Sequence, residues 1–181
     1  IVQGPTTIRN SDSSVISYDT VTRSEQPAGF NTLIIPRGVL YAIQLADGSK
    51  VWLNAETKLR YPTHFGGVTK RTVYLESGEA YFKVKHNAAL PFVVKAGDME
   101  VQVLGTEFNV NTYSSQYATT LVTGSVQLKA NDQQTLLKPG QQALFSGGKF
   151  SSKGVDVETY TGWKEGQMIF EEARLEDVMN V

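Results

Sequence analysis

Side chains that could perform acid–base or nucleophilic chemistry are few in this sequence. It contains two histidines, His64 and His86, and no cysteine. A Ser-His-Asp arrangement needs an imidazole beside a nucleophile. There is no G-x-S-x-G turn, no H-E-x-x-H and no glycine-rich phosphate or dinucleotide fingerprint. Both histidines have turn-like neighbours, so we expect them to lie in surface loops. Because the motifs of catalysis and of phosphate binding are missing, the sequence predicts a protein without enzymatic turnover, and we expect no metal site and no cofactor.

A second candidate is a pair of carboxylates, Glu76 and Glu79, which flank Ser77-Gly78. Two carboxylates that face one cleft can hydrolyse a glycosidic bond. A solvated turn between two strands explains the same residues more simply, so we favour the turn.

A third candidate is the dipeptide Gly105-Thr106, which lies between two expected strands. A threonine hydroxyl can attack the carbonyl carbon of the preceding residue and convert the amide into an ester. Glycine at that position offers little steric resistance to the strained backbone that this step needs. Taken alone, a turn glycine followed by a β-forming threonine is the simpler interpretation.

Composition restricts the classes of protein that these residues could serve. The chain has 181 residues, of which 40% are apolar and 19% charged, as is typical of a soluble globular protein. Its 17 basic and 18 acidic side chains give a net charge of −1, which argues against nucleic-acid binding. No apolar run is long enough to span a membrane. Because the chain begins at Ile1, we expect it to be part of a longer polypeptide.

The elements that would position the candidate residues are predicted to be short strands. Two apolar runs flank Asp47-Gly48, a pair that can supply the positive φ angles of a hairpin turn. Met99, Val101 and Val103 alternate with polar residues, as in half-buried antiparallel strands. Further strands are expected at 57–61, 70–76, 79–85, 91–95, 98–104, 107–113, 117–123, 125–129, 134–138 and 141–146, followed by a loop, SGGKFSSKG.

These elements predict an all-β fold, a jelly-roll-like antiparallel β-sandwich over residues 30–154. Residues 1–29 are polar and lack a sustained period, so we expect a flexible lead-in. Residues 155–181 carry Trp163, Gly166 and Phe170, and then Leu175, Val178 and Met179 at helical spacing. We expect a short C-terminal helix that begins a second, truncated α+β domain.

Taken together, the strand motifs are similar to the periplasmic region of the FecR family, particularly its Bacteroidetes branch. The family comprises membrane-anchored anti-sigma regulators of cell-surface signalling. The motifs that carry the resemblance are DGSKVWLNAETKLRYPTHF (47–65), RTVYLESGEAYFKV (71–84), PFVVKAGDMEVQVLGTEFNV (91–110), TGSVQL (123–128) and LLKPGQQALF (136–145). They cover about 38–146 in order, and their combination is more specific than any one of them.

The resemblance implies a periplasmic domain of a single-pass inner-membrane protein. Such a protein holds an extracytoplasmic-function sigma factor through a cytoplasmic segment that this sequence lacks. Its C-terminal domain receives the signalling domain of a TonB-dependent outer-membrane transducer. By this resemblance, Trp163, Phe170, Leu175 and Val178 belong to the start of the partner-binding region. Some relatives are cleaved within an L-G-T motif by an acyl shift, and Leu104-Gly105-Thr106 matches that motif.

An alternative function from another class is a secreted carbohydrate-binding or adhesive β-sandwich. The sequence has eight Tyr, eight Phe and two Trp, enough to build a surface on which sugars stack. The two functions differ in their binding partners, since a regulator should bind a transducer domain and a sugar module should bind glycans through exposed aromatic rings.

Overall fold

Seventeen strands and a short helical segment make up the part of the chain that the computed structural model describes. It describes the backbone of residues 2–3, 6–12 and 15–18, and all of residues 29–166. The strands up to the middle of the chain are β1 (Val2–Gln3), β2 (Thr6–Asp12), β3 (Val15–Tyr18), β4 (Phe30–Ile34), β5 (Tyr41–Gln44), β6 (Lys50–Leu53), β7 (Lys58–Pro62), β8 (Arg71–Ser77) and β9 (Glu79–Lys83). The rest are β10 (Phe92–Ala96), β11 (Met99–Val103), β12 (Glu107–Asn111), β13 (Tyr117–Thr123), β14 (Val126–Ala130), β15 (Gln133–Leu137), β16 (Gln141–Ser146) and β17 (Lys149–Gly154), followed by α1 (Val157–Thr161) and a 3₁₀ turn (Gly162–Glu165).

The strands form two sheets, which confirms the predicted all-β sandwich. The ten-stranded sheet has the order β1-β2-β3-β5-β6-β9-β12-β13-β16-β17, and the seven-stranded sheet has the order β15-β14-β11-β10-β8-β7-β4. Most neighbours are antiparallel, but β3 with β5 and β8 with β10 are parallel pairs. The chain therefore crosses repeatedly between the two layers.

The core lies between the sheets and is filled by one face of each strand. The predicted alternation in β11 is confirmed, because Met99, Val101 and Val103 are buried while the residues between them are partly exposed. Phe82 and Phe108 stack with their ring centroids 5.1 Å apart, and both side chains are fully buried. Apolar area removed from water in this way is the main favourable contribution to folding.

The predicted hairpin at Asp47-Gly48 is confirmed, with β5 and β6 as its strands. Only Gly48 has a positive φ, +86°. Asp47 instead accepts hydrogen bonds through Oδ1 from the Ser49 backbone nitrogen at 3.0 Å and through Oδ2 from Ser49 Oγ at 2.8 Å. A short side chain that bonds the backbone two residues on is the usual stabilising contact of such a turn.

The prediction of a loop at SGGKFSSKG is wrong, because this segment contains strand β17, which pairs with β16 along its length. Gly147 and Gly148 have φ angles of +57° and +76° and make the turn between the two strands. Since β17 is largely exposed at the sheet edge, its residues do not alternate between apolar and polar. Periodicity therefore could not reveal it.

Two other expectations concern the ends of the chain. Strands β1 to β3 lie within the segment 1–29 that the sequence predicts to be a lead-in. The helix expected around Leu175, Val178 and Met179 falls outside the described residues. The described helical segment, α1 with its 3₁₀ turn, comes earlier, shortly after β17, which is the last strand within the described residues.

Candidate interaction site

A row of polar side chains lies buried on the outward face of the ten-stranded sheet. We call it the polar ladder, and its members are Glu79, Asn109, Thr120 and Gln142, with exposures of 8%, 2%, 1% and 3%. They come from the neighbouring strands β9, β12, β13 and β16, and their chain neighbours on the opposite face point into the apolar core. Polar residues on an outward face are normally solvated, so another element must cover this one.

The covering element is residues 157–166, which we call the C-terminal segment. Helix α1 contacts β13. The indole nitrogen Nε1 of Trp163 donates a hydrogen bond to Asn109 Oδ1 at 3.3 Å. Lys164 Nζ lies 5.1 Å from the centre of the Tyr81 ring, which belongs to the same face of the sheet. The segment thus rests on strands β9, β12 and β13.

Glu79 is the charged centre of the ladder, and uncharged amides satisfy both of its carboxylate oxygens. Oε1 accepts from Asn109 Nδ2 at 2.9 Å, and Oε2 accepts from Asn54 Nδ2 at 2.8 Å. The Glu79 backbone nitrogen donates to Thr57 Oγ1 at 3.0 Å. A buried carboxylate is costly unless it is hydrogen-bonded, so these partners hold Glu79 in one position.

Asn109 joins this centre to the C-terminal segment. Its amide donates to Glu79 through Nδ2 and accepts from Trp163 through Oδ1. A continuous chain of hydrogen bonds therefore runs from Asn54, after β6, through Glu79 and Asn109 to Trp163. Buried polar networks of this kind specify one arrangement when all members are satisfied.

Electrostatic contacts beside the ladder involve Tyr81 and Glu107. Tyr81 Oη donates to Glu107 Oε2 at 2.8 Å, and Lys83 Nζ lies 2.7 Å from Glu107 Oε1. Burial, with a smaller effect of Glu107, raises the pKa of Tyr81 far above its usual value. Burial opposes ionisation of Glu107, but the hydrogen bonds from Lys83 and Tyr81 and the charges of Lys83 and Lys164 outweigh it and lower the pKa. The charge of Lys164 in the C-terminal segment thus acts on a carboxylate of the sheet.

The C-terminal segment has little stability of its own. Helix α1 has five residues and is capped by Asp156 Oδ1, which accepts from the Glu158 backbone nitrogen at 3.1 Å. The 3₁₀ turn ends at Gly166, whose φ is +77°. Helices this short do not form in water without tertiary support. The sheet must therefore hold the segment in place.

Gly105 and Thr106, the residues of the predicted self-cleavage, lie where the chain crosses from β11 in one sheet to β12 in the other. Thr106 is buried, and its Oγ1 donates to the Ser125 carbonyl oxygen at 3.1 Å. A Cβ added to Gly105 would lie 2.5 Å from His86 Cα and 2.6 Å from its Nδ1. Gly105 is thus required by a close approach and not by a positive φ. His86 itself is exposed, as expected for a loop residue.

The glycosidase interpretation of Glu76 and Glu79 is wrong. Glu76 lies on β8 in the seven-stranded sheet and pairs with Lys58 Nζ at 2.8 Å. Glu79 lies on β9 in the other sheet, where Asn54 and Asn109 bond its carboxylate. The two carboxylates therefore belong to different layers of the sandwich and share no cleft.

Four of the aromatic side chains that could stack on sugars, Phe30, Trp52, Tyr74 and Tyr81, contact other protein groups. The guanidinium carbon of Arg60 lies 4.7 Å from the centre of the Phe30 ring and 4.0 Å from that of Tyr74. Trp52 packs edge-to-face on Tyr81 with centroids 5.7 Å apart. These contacts occupy ring surfaces that a sugar would need, so they give the carbohydrate-binding alternative no support.

Of the partner-binding residues expected from the sequence, Trp163 is half-buried against its own sheet. Phe170, Leu175 and Val178 fall outside the described residues.

Sequence reasoning did not find Asn54, Glu79 and Asn109 as a connected group. The sequence predicts a solvated turn at Glu79, whereas Glu79 is buried, and Asn109 lies beneath Trp163, which is 54 positions further along the chain. In the described part of the chain, no helix has the length and apolarity that crossing a bilayer requires.

Comparison with known proteins places these features in a family. The sequence profile of the FecR protein family matches residues 31–127. Two crystal structures of a candidate anti-sigma factor from Parabacteroides distasonis, at 2.50 and 1.65 Å resolution, are similar to the chain with a TM-score of 0.75 and 31% sequence identity. Each match covers 83% of this chain and 72% of the other. No curated protein sequence matches the chain.

Proposed function

Because the chain belongs to the FecR family, we propose that it is the periplasmic sensor and transmission region of a membrane-anchored anti-sigma factor. In this proposal it relays a signal from a TonB-dependent outer-membrane transducer to an extracytoplasmic-function sigma factor. The observation that carries the proposal is the family match, which extends from β4 into β14 and so includes strands of both sheets. The similar crystal structures of a candidate anti-sigma factor support it.

The mechanism is coupling between binding sites. The transducer domain binds at the C-terminal side, in the region of Trp163, Phe170, Leu175 and Val178, and stabilises one arrangement of the periplasmic region. The change alters proteolysis or the membrane segment, and the sigma factor is released. A ligand shifts such an equilibrium only by its difference in affinity for the two states. The hydrogen-bond chain from Trp163 to Asn54 supports this proposal, because it links the C-terminal side to the sheet.

The test combines binding with transcription. The complete parent protein should bind the purified signalling domain of the transducer encoded beside it, and deletion of the parent gene should change transcription from promoters of the neighbouring sigma factor. A glycan array serves as the comparison, since a sugar module would bind there instead. Glycan binding together with unchanged sigma-dependent transcription would contradict the proposal.

A second activity is a single self-cleavage at Gly105-Thr106. Thr106 Oγ1 attacks the Gly105 carbonyl carbon and loses its proton to water; the C–N bond breaks, and the nitrogen takes up a proton to become the free amine of Thr106. Water then hydrolyses the new ester to give the Gly105 carboxylate and the Thr106 hydroxyl. The motif Leu104-Gly105-Thr106 supports this step, because some members of the family are cleaved within it. Gly124 packs closely on the dipeptide, since a Cβ there would lie 2.8 Å from Thr106 Oγ1 and 3.1 Å from the Gly105 carbonyl oxygen.

Mass spectrometry of the purified chain tests this step. On prolonged incubation we expect two fragments, 1–105 and 106–181, from the native chain and only the intact chain from Thr106→Ala. Thr106→Ser keeps the hydroxyl nucleophile and is expected to cleave. Full-length material from the native chain and from Thr106→Ala alike would remove the activity.

A further inference from the structure

We propose that the C-terminal segment, residues 157–166, is a detachable latch on the ten-stranded sheet, fastened by the hydrogen bond from Trp163 to Asn109. The role of the latch in signalling rests on the proposed function, but its opening is a property of this chain alone. The described contacts of the segment with the sheet combine this bond, the packing of α1 on β13 and the position of Lys164 beside Tyr81.

The surface beneath the segment differs from the core in a way that permits opening. The ladder residues Glu79, Asn109, Thr120 and Gln142 are polar, so water can solvate them when the segment leaves. Exposure of an apolar face would cost free energy in proportion to its area, whereas a polar face regains hydrogen bonds to solvent. Tyr81, the aromatic residue beside the ladder, keeps its contacts with Trp52 and Glu107 on the sheet when the segment leaves. We therefore expect the sheet to tolerate both the covered and the uncovered state.

The ladder also keeps its own order without the segment. Gln142 Nε2 donates to Thr120 Oγ1 at 2.9 Å, and Glu79 is bonded to Asn54 and Asn109, so these contacts lie within the sheet and its loop. Asn109 Oδ1 is the ladder atom that loses the Trp163 indole as its partner on opening. One hydrogen bond thus contributes to the docking equilibrium without contributing to the folded sheet itself.

The charge of Lys164 favours docking of the segment, as the hydrogen bond from Trp163 does. The positive charge of Lys164 lowers the pKa of Glu107, so the two groups attract each other across the contact. Lys164 also lies near Glu165 in its own segment, at 2.5 Å between Nζ and Oε1.

The position of the latch suits it to pass the effect of a partner bound on the C-terminal side to the ten-stranded sheet. It follows β17, the last of the described strands, and precedes in sequence the residues that the proposed function assigns to the transducer. A partner that prefers the released segment shifts the equilibrium toward the uncovered sheet. Binding of such a partner therefore exposes the polar ladder to solvent.

Accessibility of Lys164 and Trp163 in the purified chain tests the latch. Trypsin cuts after Lys164, and acrylamide quenches Trp163 fluorescence once the other tryptophan is replaced by Trp52→Phe. Asn109→Ala is expected to raise the rate of cleavage after Lys164 by roughly two- to tenfold, which corresponds to the loss of one net hydrogen bond. In the Trp52→Phe background, it is expected to raise quenching of Trp163 as well.

A matched control lies on the same strand and face. Asn111→Ala makes the same substitution two residues along β12, where the side chain bonds the Tyr113 backbone nitrogen and not the C-terminal segment. It should leave cleavage after Lys164 unchanged. Trp163→Phe removes the indole N–H while keeping an aromatic ring, and it should raise cleavage if Asn109→Ala proves too unstable to purify.

The outcomes separate the latch from its signalling role. Native rates of cleavage in folded Asn109→Ala and Trp163→Phe, or an equal increase in Asn111→Ala, would overturn the latch. Increased cleavage in both variants would establish it. If the latch opens in vitro while Asn109→Ala in the complete parent leaves sigma-dependent transcription unchanged, the latch stands and its part in signalling is refuted.

Discussion

At the scale of single residues, two backbone approaches explain why glycine recurs before the strands. Gly78 has a φ of +94°, and a Cβ there would lie 2.4 Å from Thr57 Oγ1 and 2.5 Å from Thr57 Cα. Gly105 has no positive φ but is closely backed by His86. The same residue type thus serves a turn conformation in one place and close packing in the other.

Gly78→Ala is predicted to destabilise the fold by about 3 kcal/mol or more, because a left-handed backbone and a clash with a buried threonine add together. Urea unfolding followed by far-ultraviolet circular dichroism measures the change. The matched control is Gly140→Ala, where φ is +79° and nothing lies within 4 Å of the added Cβ. This control has only the backbone penalty, roughly 1 kcal/mol. Equal losses in the two variants would show that the clash with Thr57 is not decisive.

At the scale of elements, Arg71 links the seven-stranded sheet to the β5–β6 turn of the ten-stranded sheet. It lies at the start of β8, is 2% exposed, and its Nη1 is 2.7 Å from Asp47 Oδ2 in the β5–β6 turn. The same Nη1 donates to the Lys85 carbonyl oxygen at 2.9 Å, and Nε donates to that of Leu90 at 2.8 Å. The hairpin is therefore attached to the seven-stranded sheet through one guanidinium.

Asp47→Ala is predicted to cost about 3–5 kcal/mol of folding free energy, because it leaves the Arg71 charge buried without its partner. The double variant Asp47→Ala with Arg71→Met is expected to be more stable than Asp47→Ala alone, since it removes the unpaired charge. Denaturant titrations of the single and double variants give this comparison. A double variant less stable than Asp47→Ala would mean that the other contacts of Arg71 outweigh the charge.

At the scale of the whole molecule, the chain crosses between layers so often that both halves contribute to each sheet. Residues up to 105 supply β9 and β11, and residues from 106 supply β12 and β14. The pairs β9 with β12 and β11 with β14 join the halves in the ten-stranded and the seven-stranded sheet, respectively. A break at Gly105-Thr106 thus leaves both sheets connected by hydrogen bonds.

Fragments 1–105 and 106–181, produced together, are accordingly predicted to assemble and elute as one species in size-exclusion chromatography. The shared apolar core, which includes the stacked Phe82 and Phe108 from opposite fragments, drives the assembly. Phe108→Asp in the second fragment places a charge in this core and should prevent assembly. Separate elution of the native fragments would refute the prediction.

The amino-acid sequence alone determined the layered β architecture and much of its detail. Alternation in β11 and the turn at Gly48 are local properties, so they could be predicted from neighbouring residues, and the family motifs indicated the place of Gly105 and Thr106. Tertiary structure decided the rest. Strand β17 lies at an exposed edge where no periodic pattern is required. Glu79 is buried among Asn54, Thr57 and Asn109, and Asn109 is bonded by Trp163, all of them distant from one another in sequence. Coverage of a polar face depends on contacts between distant segments, and no local pattern of side chains encodes such contacts.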